Sequence, residues 1–138
     1  MAHALWNHDG PCRNIHGHSY KLYVTVRGMT VQDAGNSKLG MVIDFSDLKD
    51  IVMREVVEYF DHSVIICDLE DHPAVGMMKD AYEKVRVVDY QPTCENLVLQ
   101  MAGRIAVALP ENIELYSLRL RETGTSYAEW HASDNRLT

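Results

Sequence analysis

Side chains alternate from Tyr20 to Arg27. Tyr20, Leu22, Val24 and Val26 are apolar, whereas Lys21, Tyr23, Thr25 and Arg27 are more polar. A period of two predicts a half-buried strand over Tyr20–Val26. A loop rich in Gly, Ser, Asn and Asp follows from Met29 to Gly40, and Met41–Ile43 reads as a short strand after it. Over Ser46–Phe60 the pattern changes. Leu48, Ile51, Val52, Val56, Tyr59 and Phe60 recur at spacings of three and four, which is one face of a helix, with Asp44 and Ser46 as candidate N-caps.

A short helix is expected at Ala74–Glu83 after Pro73, then a short strand at Val85–Val88. Thr93–Leu109 reads as a second long helix. Leu97, Val98, Met101, Ala102, Ile105 and Leu109 form its stripe, Thr93 caps it and Pro110 stops it. Strands at Ile113–Arg121 and Ser126–His131 join through Thr123-Gly124-Thr125. Paired strands with helices between them predict an α+β fold with an antiparallel sheet rather than a doubly wound one.

The chain has 138 residues, which suits a single domain over 1–138. Its 46% hydrophobic and 24% charged residues exclude disorder. Thirteen Lys and Arg against twenty Asp and Glu give a net charge of −7, so no global footprint for nucleic acid exists. No apolar run approaches the roughly 18 residues of a membrane span. Met1–Asn7 lacks the basic and apolar regions of a secretory leader. The three cysteines, Cys12, Cys67 and Cys94, form no C-x-x-C pair. Reduced thiols in a cytoplasm are the expectation.

Seven histidines are many for this length. His16 and His18 lie two apart and in phase with the apolar positions of the following strand, so both imidazoles project from one face. An isolated H-x-H is more often a satisfied strand pair than a metal site. Upstream, however, His3 and His8 offer a third nitrogen, and three histidines with an open position are the layout of a catalytic zinc. Cys12 stands four residues before His16. It is equally compatible with a fourth ligand, a thiolate base or nucleophile, and a small buried hydrophobe.

Asp61-His62 pairs a carboxylate with an imidazole, although adjacent residues rarely bond to each other with good geometry. Polar decoration of a helix end explains them as well. Glu122, counted back by twos, is in phase with Leu120, Leu118 and Tyr116. It is either a solvated strand end or a carboxylate set to accept from a guanidine-like edge.

Taken together, Met1-Ala2-His3, Cys12-x-x-x-His16-Gly17-His18-Ser19-Tyr20, Gly40-Met41-Val42-Ile43-Asp44-Phe45, Asp61-His62, Pro92-Thr93-Cys94-Glu95-Asn96-Leu97 and Glu122-Thr123 resemble a known set. It is that of the 6-pyruvoyl-tetrahydropterin synthase and 6-carboxytetrahydropterin synthase family. Each piece is weak alone; the set, in this order over almost the whole chain, is specific.

The resemblance implies a zinc-dependent lyase in which His3, His16 and His18 hold Zn2+. It implies that Cys12 is the catalytic cysteine and that Asp61 and His62 are its acid/base partners. It further implies that Glu122 anchors the pterin and that Thr93 lies at the lip of the pterin pocket. The implied fold is the tunnelling fold, a four-stranded antiparallel sheet with two long helices on one face. Subunits of this fold assemble as trimers or hexamers with active sites between them.

The Cys-x-x-x-His-Gly-His spacing is similar to the queuosine-pathway branch, which makes 6-carboxytetrahydropterin and releases acetaldehyde and triphosphate. The pyruvoyl activity and a non-catalytic zinc- or pterin-binding role are the alternatives.

Two departures from the pattern carry expectations. Only Met1 and Ala2 precede His3, so the first strand is expected to be cut to a stub, exposing a sheet edge and loosening His3. The stretch from about residue 67 to 90 reads as a helix–strand insertion near the pocket rim. For a triphosphate, Arg13 and Lys21 are the nominated local cations, with others supplied by neighbouring subunits.

Overall fold

The computed structural model describes residues 1–68 and 72–135. Its elements in chain order are β1 (Ala2–His3), a 3-10 turn (Pro11–Arg13), β2 (His16–Gly17), β3 (Lys21–Gly28), α1 (Phe45–Val52), a π turn (Met53–Val57) and α2 (Glu58–Phe60). They continue with β4 (Val64–Cys67), α3 (Pro73–Ala81), β5 (Val85–Val88), α4 (Cys94–Ala108), β6 (Ile113–Arg121) and β7 (Tyr127–His131). Residues 69–71 of the expected helix–strand stretch lie outside the described residues.

The strands form two sheets. One is three-stranded and antiparallel, in the order β3-β6-β7. The other is four-stranded and mixed, in the order β2-β1-β4-β5, with β1, β4 and β5 parallel and β2 antiparallel to β1. This replaces the single four-stranded antiparallel sheet expected from sequence. Two causes are visible. Met41–Ile43 builds no ladder; Met41 and Gly40 only close a loop by bonding Val31. Val64–Cys67, which gave no period at all, is a central strand buried on both faces, where a continuous apolar run is what the packing requires. The helix α3 then carries the chain across to β5 in parallel.

The first strand is short, yet it is not an exposed edge. β1 lies between β2 and β4, and His3 is 3% exposed. The expected loosening of His3 is therefore corrected, because ladder bonds on both sides hold it.

The main core lies where α4 covers the three-stranded sheet. Leu97, Val98, Met101, Ala102 and Ile105 meet Leu115, Leu118 and Leu120, with Val56 and Phe60 closing one side. Asp44 caps α1 by accepting from the Ser46 N–H at 2.8 Å. The expected continuous helix over 46–60 contains a π turn. The widened turn leaves the Glu55 carbonyl to the Arg104 Nε–H at 2.7 Å. The alternation on β6 also breaks. Thr25 pairs Ser117 while Val26 pairs Leu115, so Tyr116 is an unpaired bulge and faces outward. Ile113 and Leu115, rather than Tyr116, continue the buried face of Leu118 and Leu120.

Candidate functional site

Sheet register builds the centre. β1 and β2 place His3 directly opposite His16, and the chain stays extended to bring His18 and Tyr20 to the same side. Ring centroids are 4.6 Å apart for His3–His16, 5.1 Å for His16–His18 and 5.8 Å for His3–His18. One ring nitrogen from each of the three lies within 4.8 Å of the others, which is close enough to hold one metal ion.

Two rings are aimed by carbonyls. His3 Nδ1–H donates to the Pro92 oxygen at 2.6 Å, and His16 Nδ1–H donates to the Asn14 oxygen at 2.8 Å. Each bond leaves Nε2 as the free donor atom, the usual outer support of a metal-ligating histidine. Burial pushes the His3 imidazolium below its usual range, so the ring is kept in the neutral form a metal needs. Three imidazoles suit a borderline divalent ion with an open position. Cys12 is not in this group, and His8 instead uses Nδ1 to accept from the Gly10 N–H at 2.9 Å.

Loop anchoring brings Pro92 to His3. The Gln91 side chain bonds the Trp6 backbone twice, at 3.1 and 2.9 Å, and the Asn96 amide donates to the Gln91 oxygen at 2.9 Å. Thr93 Oγ1 accepts from the Asn96 N–H at 3.3 Å and so caps α4. Sequence reasoning missed Gln91 and Pro92, because nothing in a linear pattern says which carbonyl meets which imidazole.

Tyr20 was also missed as a polar group. Its O–H donates to Glu122 Oε1 at 2.7 Å, and the Tyr20 phenol oxygen lies 3.4 Å from His3 Nε2. Burial and the Glu122 bond together raise the Tyr20 phenol far above its usual range, so it stays a donor. Its signal was available: a phenol in phase with two histidines on an otherwise apolar face. Glu122 Oε1 stands 3.6 Å from His3 Nε2 and 3.9 Å from His18 Nε2. The β6–β7 turn fixes Glu122, whose N–H donates to the Ser126 oxygen at 3.0 Å. Behind it the Cys94 thiol, raised to about 11 chiefly by burial, donates to the Leu120 oxygen at 3.3 Å.

A cavity of about 530 Å3 runs from His18 and Tyr20 past Leu22, Met101 and Phe60 to Asp61 and His62. His62 has φ 54°, the left-handed region, and its side chain is 92% exposed. That conformation turns Nδ1–H onto Asp61 Oδ2 at 2.9 Å, so these adjacent residues do pair, against the expectation from their spacing. The same bond lowers the Asp61 carboxyl below its usual range. Cys12 sits half-buried on the 3-10 turn, its carbonyl taking the Leu5 N–H at 2.9 Å. It is near enough for its charge to act on Tyr20. Thr93 and Glu122 do not line this cavity.

Among the described residues no helix is long and apolar enough to cross a membrane. The family model described as 6-pyruvoyl tetrahydropterin synthase matches residues 1–133. A Haemophilus influenzae protein named 6-carboxy-5,6,7,8-tetrahydropterin synthase is 35% identical over 132 residues, covering 94% of this chain and 91% of that one. An Aquifex aeolicus protein of the same name is 35% identical, over 86% of this chain and 75% of that one. Among solved structures, an uncharacterized protein of Wolinella succinogenes superposes with a TM-score of 0.74 at 20% identity, over 95% of this chain and 92% of that one. The Caenorhabditis elegans 6-pyruvoyl tetrahydropterin synthase gives a TM-score of 0.63 at 24% identity, over 95% and 87%. These structural likenesses carry the fold; the match over residues 1–133 and the two sequence relatives place the chain in the 6-pyruvoyl tetrahydropterin synthase family.

Proposed function

We propose that this protein is a zinc-dependent lyase. It converts 7,8-dihydroneopterin triphosphate to 6-carboxy-5,6,7,8-tetrahydropterin, releasing acetaldehyde and triphosphate, as a step toward queuosine. The observation that carries the reading is the convergence of His3, His16 and His18, with His18 lining the same cavity as the Asp61–His62 pair. The relatives named for this activity support the product assignment.

His3, His16 and His18 would hold Zn2+, which when bound supplies Lewis acidity toward the substrate's side-chain hydroxyls. Glu122 accepts the N–H groups of the amino-pyrimidine edge. Tyr20 already occupies one lone pair of Oε1 and so fixes the carboxylate's orientation. Cys12, as thiolate, takes a proton from the substrate side chain. His62 carries protons at Nε2 while Asp61 holds its Nδ1–H. Thr93 keeps the rim of α4 in place through its cap.

Incubating zinc-loaded protein with 7,8-dihydroneopterin triphosphate and identifying products by mass spectrometry tests the reading. The expected products are the carboxypterin and acetaldehyde. A pyruvoyl pterin would replace this assignment by simple triphosphate elimination, and unreacted substrate would leave a non-catalytic binding protein.

The protein is read as a cytoplasmic homo-oligomer, a trimer or a hexamer. Two features support assembly. Among the described residues β3 and β7 each pair only with β6, which leaves both outer edges of that sheet without a partner strand there, and Phe45 is 87% exposed. Light scattering on the eluting protein should give three or six subunit masses; a monomer would sink this part of the reading.

A further inference from the structure

We propose that a groove beyond His62, built on β5, is the polyphosphate subsite, with Lys84 and Arg86 as its binding cations. This rests on the substrate assigned above and deepens it. The groove has a volume of about 610 Å3 and is lined by His62, Val64, Tyr82, Glu83, Lys84 and Arg86. His62 also lines the cavity that reaches His18 of the histidine cluster, so the two spaces share that residue.

Strand geometry sets the cations. Lys84 and Arg86 are two residues apart, so they share one face, while Val85 and Val87 face the small core under α3. Register places Arg86 opposite Ile65 and Val85 opposite Val64. The two cations therefore stand beside the segment that carries Asp61 and His62. Lys84 Nζ donates to the Asp61 carbonyl at 2.6 Å, and the Lys84 carbonyl takes the Val64 N–H at 3.0 Å.

Arg86 is aimed by two contacts. Its Nε–H donates to the Tyr59 oxygen at 3.1 Å, and its guanidinium lies 4.4 Å from the Tyr59 ring centroid. These contacts leave the two terminal nitrogens for a ligand, in the fork geometry that suits phosphate.

The charge pattern points the same way. The chain is net −7, and four of its cations, Arg27, Lys38, Arg54 and Arg119, each pair with a carboxylate. Among the described residues Lys84 and Arg86 have no carboxylate within 4.0 Å and bond only neutral carbonyls. Two cations in one groove, neither paired with a carboxylate among the described residues, favour an anion there. The cation nominated on β3, Lys21, lies on that strand's outer face, away from the cavity. Glu83 lines the groove as well and sets the limit on how much negative charge it accepts.

Calorimetry with inorganic tripolyphosphate on the zinc-loaded full chain tests this without turnover. Lys84→Gln keeps a donor for the Asp61 carbonyl and removes the charge; Arg86→Gln removes the fork. Each should weaken tripolyphosphate binding by about tenfold. Lys84→Arg should retain most of it. Melting temperatures identify any variant that fails to fold, in which case the other neutral variant decides. With the pterin triphosphate, the neutral variants should raise KM by a larger factor than they lower kcat, since the tail is bound in ground and transition states alike.

Wild-type affinity and KM in both folded neutral variants would overturn the subsite, as would absence of tripolyphosphate binding by the wild type. If the wild type gives no product from the pterin triphosphate, the proposed reaction falls instead. The binding arm still decides whether the groove takes a polyphosphate.

Discussion

Replacing His3 with alanine is expected to strip the metal and abolish turnover. Three nitrogens are placed to hold an ion, and removing one would leave two, fewer than a catalytic zinc uses. His3 also carries a structural load. It is 3% exposed and donates to Pro92, so alanine leaves a buried carbonyl unpaired, at a cost of about 1–3 kcal/mol. His16→Ala separates the two effects, because His16 is only half-buried and its carbonyl partner, Asn14, is exposed. Metal content by elemental analysis should fall below stoichiometric in both variants. The metal-free melting temperature should drop clearly only for His3→Ala. A wild-type metal content in either variant would refute the assignment of that histidine.

Cys12→Ala should lower turnover by about a hundred- to ten-thousand-fold, the range a positioned proton-transfer group supplies. The metal should stay at wild-type stoichiometry, since the three histidines converge without Cys12. Single-turnover assays with elemental analysis on the same preparation test both halves. Loss of metal would make Cys12 a ligand, and retained turnover would remove it from the chemistry. Cys94 is the natural control. Its thiol is held at about 11 and donates to Leu120, so it stays protonated at neutral pH and Cys94→Ala should not reproduce the defect.

Much of this was legible along the chain. The alternation over Tyr20–Val26 and the stripe of Leu97, Val98, Met101, Ala102 and Ile105 are local periodicities, and β3 and α4 follow them. The phase of His16, His18 and Tyr20 also survives, because an extended backbone repeats every two residues wherever it lies. What failed were inferences that needed a partner. Tyr116 kept the count of two but not the pairing, because the bulge against Thr25 and Val26 is a property of two strands. Val64–Cys67 carries no period because both of its faces are buried, which only its neighbours β1 and β5 make true. Asp61 and His62 pair because the left-handed turn at His62 swings one ring onto its neighbour, a backbone choice that residue types alone do not announce.

Sequence by itself therefore nominated the residues for the chemistry and determined most of the helices and strands that carry them, since local structure depends on short-range sterics and periodicity. Tertiary structure decided which of them meet. The antiparallel register that sets His3 against His16, the loop that lends Pro92 to His3, and the crossover that brings Lys84 and Arg86 beside His62 all join residues far apart in the chain. Those meetings follow from packing two sheets and their helices around a main core and a smaller one, and no local pattern encodes them.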